Sequence, residues 1–209
     1  TRLPVRSLRL APVAKDDSIL LRLQQALESA GCTCFRSFRF FNWFHQLKGQ
    51  SFEAYMAARP SKVRNTIARK QRKLAREHGY DIRLYTGNDL QQAMADFNTV
   101  YSASWKAKEL FRDFIDGLAE RLSGQGWLRL AVLYIGDRPA AAQFWFVAHG
   151  KASIFRLAYD QAWKQTAIAR SLWHEDQERV CFAPQAGFEP GPIEVWAGCS
   201  IDMVEELVA

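Results

Sequence analysis

Two features of this chain have residue types and spacing suited to chemistry: a run of cations and a single amide inside an apolar strand. Between Arg59 and Arg76 stand eight basic residues and no acidic one. Taking 100° per residue from Val63, Ile67 and Leu74 form a narrow apolar stripe, and Arg69, Arg72, Lys73 and Arg76 fall opposite it. With Arg64 they present a cationic face suited to phosphate, on an anionic membrane surface, a phosphate ligand or nucleic acid. A merely solvated face on a docked helix is the plain alternative. No aromatic residue interleaves with these cations, which puts nucleic acid last among the partners. Gln143 lies in the run AAQFWF, where a buried amide either orients a substrate or satisfies a neighbouring backbone group. Lys106, after Trp105, either binds an anionic group or stands in solvent. The four histidines (His45, His78, His149, His174) and four cysteines (Cys32, Cys34, Cys181, Cys199) form no zinc or triad spacing. The expectation is therefore no metal, with reduced thiols in a cytoplasmic protein.

These residues need elements to hold them. Residues 16–30 read as a helix capped by Asp16 or Asp17 and stopped by Gly31. The aromatic stretch from Cys34 to Phe44 suits a buried strand. Ser51 caps a short helix, Glu53 to Ala58, and Ser61 caps the basic helix, which Gly79 stops. Residues 81–86 alternate like a strand, and helices follow near 90–104 and 111–122. Trp127 to Ile135, Ala140 to Ala148 and Ala152 to Tyr159 are strand-forming runs joined by short turns, an antiparallel meander. A further helix fits 161–178. The order predicts an α+β fold, helices packed on a mainly antiparallel mixed sheet.

The chain has 209 residues and a formal net charge of +6. That charge is local: outside the basic window, 20 basic residues face 22 acidic ones. From Ser171 to Ala209 there are eight acids and one base, Arg179. No run of 18 apolar residues exists to span a membrane.

The segments SFEAYMAARPSKVRNTIARKQRKLAREHG, IRLYTGNDL, VYSASWKAKE, GWLRLAVLYIGDRPAAAQFWFV and ASIFRLAYDQAWK together resemble the GNAT-superfamily acetyltransferases associated with cellulose and exopolysaccharide biosynthesis. Members of that family resemble two GNAT-like halves in tandem. The resemblance implies that residues 1–58 end a first half, that 59–164 form the acyltransferase core, and that 165–209 are an atypical acidic tail. It also implies that the chain, which opens on Thr1, is a fragment.

What the resemblance implies chemically is acetyl transfer from acetyl-CoA to an amine or hydroxyl acceptor. The acyl-CoA strand would run from Ile154 to Tyr159, with backbone N–H groups at Phe155, Arg156 and Leu157 polarising the thioester carbonyl. The pyrophosphate would lie near Lys164 to Arg170, at a helix N-terminus. Asp160, Tyr159 and Gln143 are the candidate catalytic side chains. For Arg156 and Asp160, a plain surface ion pair is the alternative. The family's glycine-bearing turn is missing here, since no glycine occurs between Gly150 and Gly187. The tail from Gln165 therefore reads as frameshifted or replaced, which predicts impaired activity. Two rival readings stand beside this one: an aminoacyltransferase using aminoacyl-tRNA, and a non-catalytic GNAT-like scaffold that binds anionic partners through the basic helix.

Overall fold

A computed structural model describes residues 7–10, 13–38, 43–47, 49–166, 168, 171–172, 180 and 194–197. The chain divides into two units, Thr1–Phe41 and Asn42–Ala209. In the first, helix α1 (Ser18–Ser29) begins where the Asp17 carboxylate accepts from the Ile19 and Leu20 N–H groups at 2.8 and 3.1 Å. The chain leaves it through Gly31 at φ +84°. The aromatic stretch that follows meets expectation only at its end, where Trp43 and Phe44 open a strand, Trp43–Gln46. Residues 34–38 form no strand, and Phe35 and Phe38 are exposed. β-propensity expresses fit to a half-buried pleated surface, and aromatic content without a pairing strand does not supply one. Phe40 and Phe41 lie outside the described residues.

In the second unit, six strands form one sheet in the order β1-β6-β5-β4-β3-β2. They are β1 (Trp43–Gln46), β2 (Asp81–Tyr85), β3 (Leu128–Ile135), β4 (Arg138–Ala148), β5 (Lys151–Tyr159) and β6 (Glu194–Ala197). Every pairing is antiparallel except β5 with β6. The predicted meander is β3-β4-β5. Its second turn is His149-Gly150, both at positive φ (52° and 72°), the backbone that matches strand twist in a two-residue hairpin.

Side-chain alternation divides the core between the sheet's two faces. Leu130, Val132, Phe144 and Ala158 meet Phe97 and Val100 of α4 (Leu90–Ala103), and Ile115 and Leu122 of α5 (Arg112–Gly124). On the other face Trp145, Val147, Ile154 and Leu157 meet Phe52 and Tyr55 of α2 (Phe52–Ala57). Alongside them Ala131, Leu133, Ala141 and Tyr159 meet Leu74 of α3 (Ser61–Glu77), Ile168 and Leu172. Ile168 and Leu172, inside the stretch read as a replaced tail, are thus fully buried. Helix α3 carries the cations, and Ile67 and Leu74 are its buried residues, as the stripe predicted. Ser61 does not cap it. The helix starts one residue earlier in phase, with Pro60 at the cap and its carbonyl accepting from Val63 and Arg64.

Candidate active site at the β5 bulge

The meander contains one irregularity with chemical consequences. Phe144 pairs with Arg156 but Trp145 pairs with Ile154, so Phe155 is an extra residue in β5. A bulge of this kind resets the alternation of every side chain beyond it. Without it, Arg156 would share the face of Ile154. With it, Arg156 joins Phe155 on the α4 side, its guanidinium carbon 5.1 Å from the Phe155 ring centroid and 6.0 Å from that of Tyr101.

Strand β6 pairs with Lys151 to Ile154, and among the described residues no strand lies along the outer edge of β5 past Ile154. The hydrogen-bond phase says which groups face that edge. The Asp160 N–H donates to the Ala140 carbonyl at 2.8 Å. Residues two and four earlier, Ala158 and Arg156, share that phase and bond toward β4. Leu157 accordingly turns its N–H and C=O to the outer edge. Its side chain is core, so only its backbone is available there.

A carboxylate missed by sequence reasoning completes the cluster. Glu109, on the loop between α4 and α5, accepts from Arg156 Nη2 at 3.0 Å through Oε2 and from the Phe111 N–H at 3.2 Å through Oε1. It is only 16% exposed. Glu109 lies in the segment VYSASWKAKE, yet nothing local marks it, because its partner is 47 residues away. The same loop brings Lys106 Nζ to 5.5 Å from the Trp105 ring centroid and 6.0 Å from that of Tyr101. Trp105 packs against Tyr159, centroids 4.5 Å apart. Lys106, Arg156 and Tyr159 are therefore gathered at one end of β5.

Other predicted residues are placed differently. Asp160 does not pair with Arg156, whose guanidinium is held by Glu109. Its Oδ1 instead accepts from the Ala162 N–H at 2.9 Å, capping the 3-10 turn Gln161–Thr166. Lys164 is exposed on that turn, and Arg170 lies outside the described residues. Gln143 is fully buried on β4, opposite Leu157. Its Oε1 accepts from Trp145 Nε1 at 2.9 Å, while its Nε2 has no partner among the described residues. Buried donors are rarely left so.

The cations of α3 lie on the sheet face opposite α4. Arg64, Arg69, Arg72, Lys73 and Arg76 are all exposed. Lys73 and Arg76 reach Glu77 at 3.8 and 3.3 Å, exposed pairs of small energetic weight. Among the described residues no three His, Cys, Asp or Glu side chains group to hold a metal ion, and no helix is long and apolar enough to cross a membrane.

Residues 61–183 match the family model described as an acetyltransferase (GNAT) domain. The chain belongs to this family. The match includes the bulge and continues past Gln165, where the resemblance read from sequence stops. No curated protein matches the chain. Among solved structures it is similar to the ribosomal-protein-S18-alanine N-acetyltransferase of Escherichia coli, at 15% identity over 61% of this chain and 73% of that one, TM-score 0.41. It is also similar to an aminoglycoside acetyltransferase from an uncultured soil metagenomic sample, in complex with sisomicin (16%, 62% and 88%, TM-score 0.42). A third is the PaiA N-acetyltransferase of Thermoplasma acidophilum, in complex with coenzyme A (11%, 48% and 72%, TM-score 0.38). As a GNAT acetyltransferase, the chain is an enzyme that uses acetyl-CoA as acyl donor.

An outward N–H such as that of Leu157, on an edge with no partner strand among the described residues past Ile154, can bond an amide-bearing, extended ligand much as an added strand would.

Proposed function

We propose that this chain transfers an acetyl group to an amine or hydroxyl acceptor at the outer edge of β5, and that the acceptor belongs to polysaccharide or cell-envelope biosynthesis. The observation that carries the site is the bulge at Phe155, beyond which Leu157 turns its N–H to the outer edge of β5. The envelope setting rests on the resemblance of the segments between Ser51 and Lys164 to acetyltransferases of exopolysaccharide synthesis.

Bound acetyl-CoA supplies an activated thioester. Leu157 N–H is the donor placed to hold its carbonyl, with Phe155 and Arg156 flanking, and a fixed donor of this kind lowers the cost of charge developing on oxygen. Lys164 and Arg170 would meet the phosphate end. Glu109 holds the Arg156 guanidinium in place, since both of its oxygens are engaged. Asp160 commits one oxygen to Ala162 and keeps the other. It and Tyr159 stand at the end of β5 as candidates to take up the acceptor's proton. Gln143 Nε2, a donor without a partner, is the candidate to position substrate from within the sheet. The cationic face of α3 is a candidate site for a phosphate-bearing partner.

Calorimetry with acetyl-CoA, followed by thiol release with amino-sugar and hydroxyl acceptors, tests this reading. Saturable binding and acceptor-dependent thiol release are expected. No heat and no thermal shift at about millimolar ligand, a concentration typical of weak substrates, would defeat it.

A further inference from the structure

The loop that carries Glu109 does something the site does not require. Immediately after Glu109 turns inward to Arg156, three large apolar side chains turn outward: Leu110 is 81% exposed, Phe111 68% and Phe114 62%. They occupy the end of the α4–α5 loop and the first turn of α5. Trp105, at the loop's other end, is 41% exposed. Exposed apolar residues scattered singly need no explanation, but three within five positions at one loop tip do.

Their neighbours narrow what covers them. Lys108 and Arg112 are exposed beside them, and Lys106 is half-buried. Residues 104–114 contain two acids, and one of these, Glu109, is folded inward. Asp113 is the outward acid. The cores of protein–protein interfaces are depleted in lysine, whereas membrane-surface elements combine basic residues with Phe, Leu and Trp. Apolar tips enter the boundary between headgroups and acyl chains, and the cations meet anionic headgroups.

We infer that the α4–α5 loop docks this acetyltransferase on an anionic lipid surface, with Leu110, Phe111 and Phe114 inserted and Lys108 and Arg112 at headgroup level. The site at the β5 bulge then opens at the membrane, because Glu109 links the loop directly to Arg156. This docking does not depend on which acceptor is used, and it is read without turnover.

Co-sedimentation of the chain with vesicles tests it, using phosphatidylcholine alone and phosphatidylcholine with about one-third phosphatidylglycerol. Binding to the anionic vesicles is expected, weakening as salt rises. The variant Leu110→Ser/Phe111→Ser/Phe114→Ser should lose about tenfold or more in vesicle affinity, since each inserted apolar side chain contributes. It should keep the parent's melting temperature, because none of the three is buried. Lys108→Gln/Arg112→Gln should lose the preference for anionic over neutral vesicles, an outcome misfolding would not give. Absence of vesicle binding by the parent chain overturns the inference, as does equal binding by the triple-serine variant. If the parent instead self-associates and the triple-serine variant is monomeric, a second copy covers the patch and the lipid assignment is wrong.

Discussion

Replacing Gln143 by Met separates two roles that the buried amide could have. In the folded chain its Oε1 takes the Trp145 indole N–H at 2.9 Å and its Nε2 has no partner among the described residues. Gln143→Met keeps side-chain length and removes both polar atoms. It leaves Trp145 Nε1 unsatisfied, a cost of about 1–3 kcal/mol, and at the same time removes an amide donor carrying a similar penalty of about 1–3 kcal/mol. The two nearly offset, so Gln143→Met should change stability by less than about 1 kcal/mol. Trp145→Phe has no such offset. It leaves Gln143 with both polar ends unpartnered, adds a cavity, and should cost about 3 kcal/mol or more. Combining the two changes removes the unpaired atoms of both side chains and should recover about 1–2 kcal/mol relative to Trp145→Phe alone. Urea unfolding measures all three. If Nε2 is kept for a ligand, Gln143→Met should also lower kcat/KM by about tenfold, one hydrogen bond's worth. A loss of more than about 3 kcal/mol in Gln143→Met would mean that Nε2 is bonded in the folded chain, against the geometry. Unchanged kcat/KM would refute a role in positioning substrate.

The Glu109–Arg156 pair should behave as a unit. Glu109→Gln keeps the size but weakens the hold on Arg156, and Arg156→Met strands a carboxylate that is only 16% exposed. The second should cost more stability, about 2 kcal/mol against about 1, with non-additivity in the double variant measured by chemical unfolding. Both should lower kcat more than they raise KM for acetyl-CoA, and additive losses would break the link between them. His45 supplies a pH dependence. Burial, and then the charge of Arg59, hold its imidazole below the ordinary value of 6.5. The unfolded chain therefore binds the proton more readily than the folded one. Stability from this group is complete above pH 6.5 and declines as pH falls through 6.5 toward the folded value. His45→Gln should flatten the melting temperature between about pH 7.5 and 5.5, and an undiminished slope would assign the effect to other groups.

Much of the second unit was legible in the sequence because its signals are local. The meander announces itself through alternating strand-formers and two short turns, and α3 through the spacing of Ile67 and Leu74. What escaped was whatever depends on distant pairing. The Cys34–Phe44 stretch had the composition of a strand, but only Trp43 and Phe44 enter one, and residues 34–38 pair with no strand among the described residues. The bulge at Phe155 is invisible in IFRLAY, since it exists only as a mismatch against Phe144 and Trp145. Glu109 was missed for the same reason, because its partner is chosen by that mismatch. Arg156 and Asp160, four residues apart, looked like a pair, but Glu109 takes the guanidinium and Asp160 caps the turn that follows β5.

The strand order also fixes a sequence of events in time. Among the described strands β1 borders only β6, and β6 comes from residues 194–197, near the far end of the chain. The strand synthesised first thus has no place in the sheet until almost everything else has been made. The hairpins β3-β4 and β4-β5 close over short loops and can assemble early, whereas the β1-β6-β5 side waits for contacts separated by roughly 150 residues, which form slowly. A ribosome-bound chain halted before Glu194 would carry the bulge and its ion pair with the whole outer edge of β5 still bare.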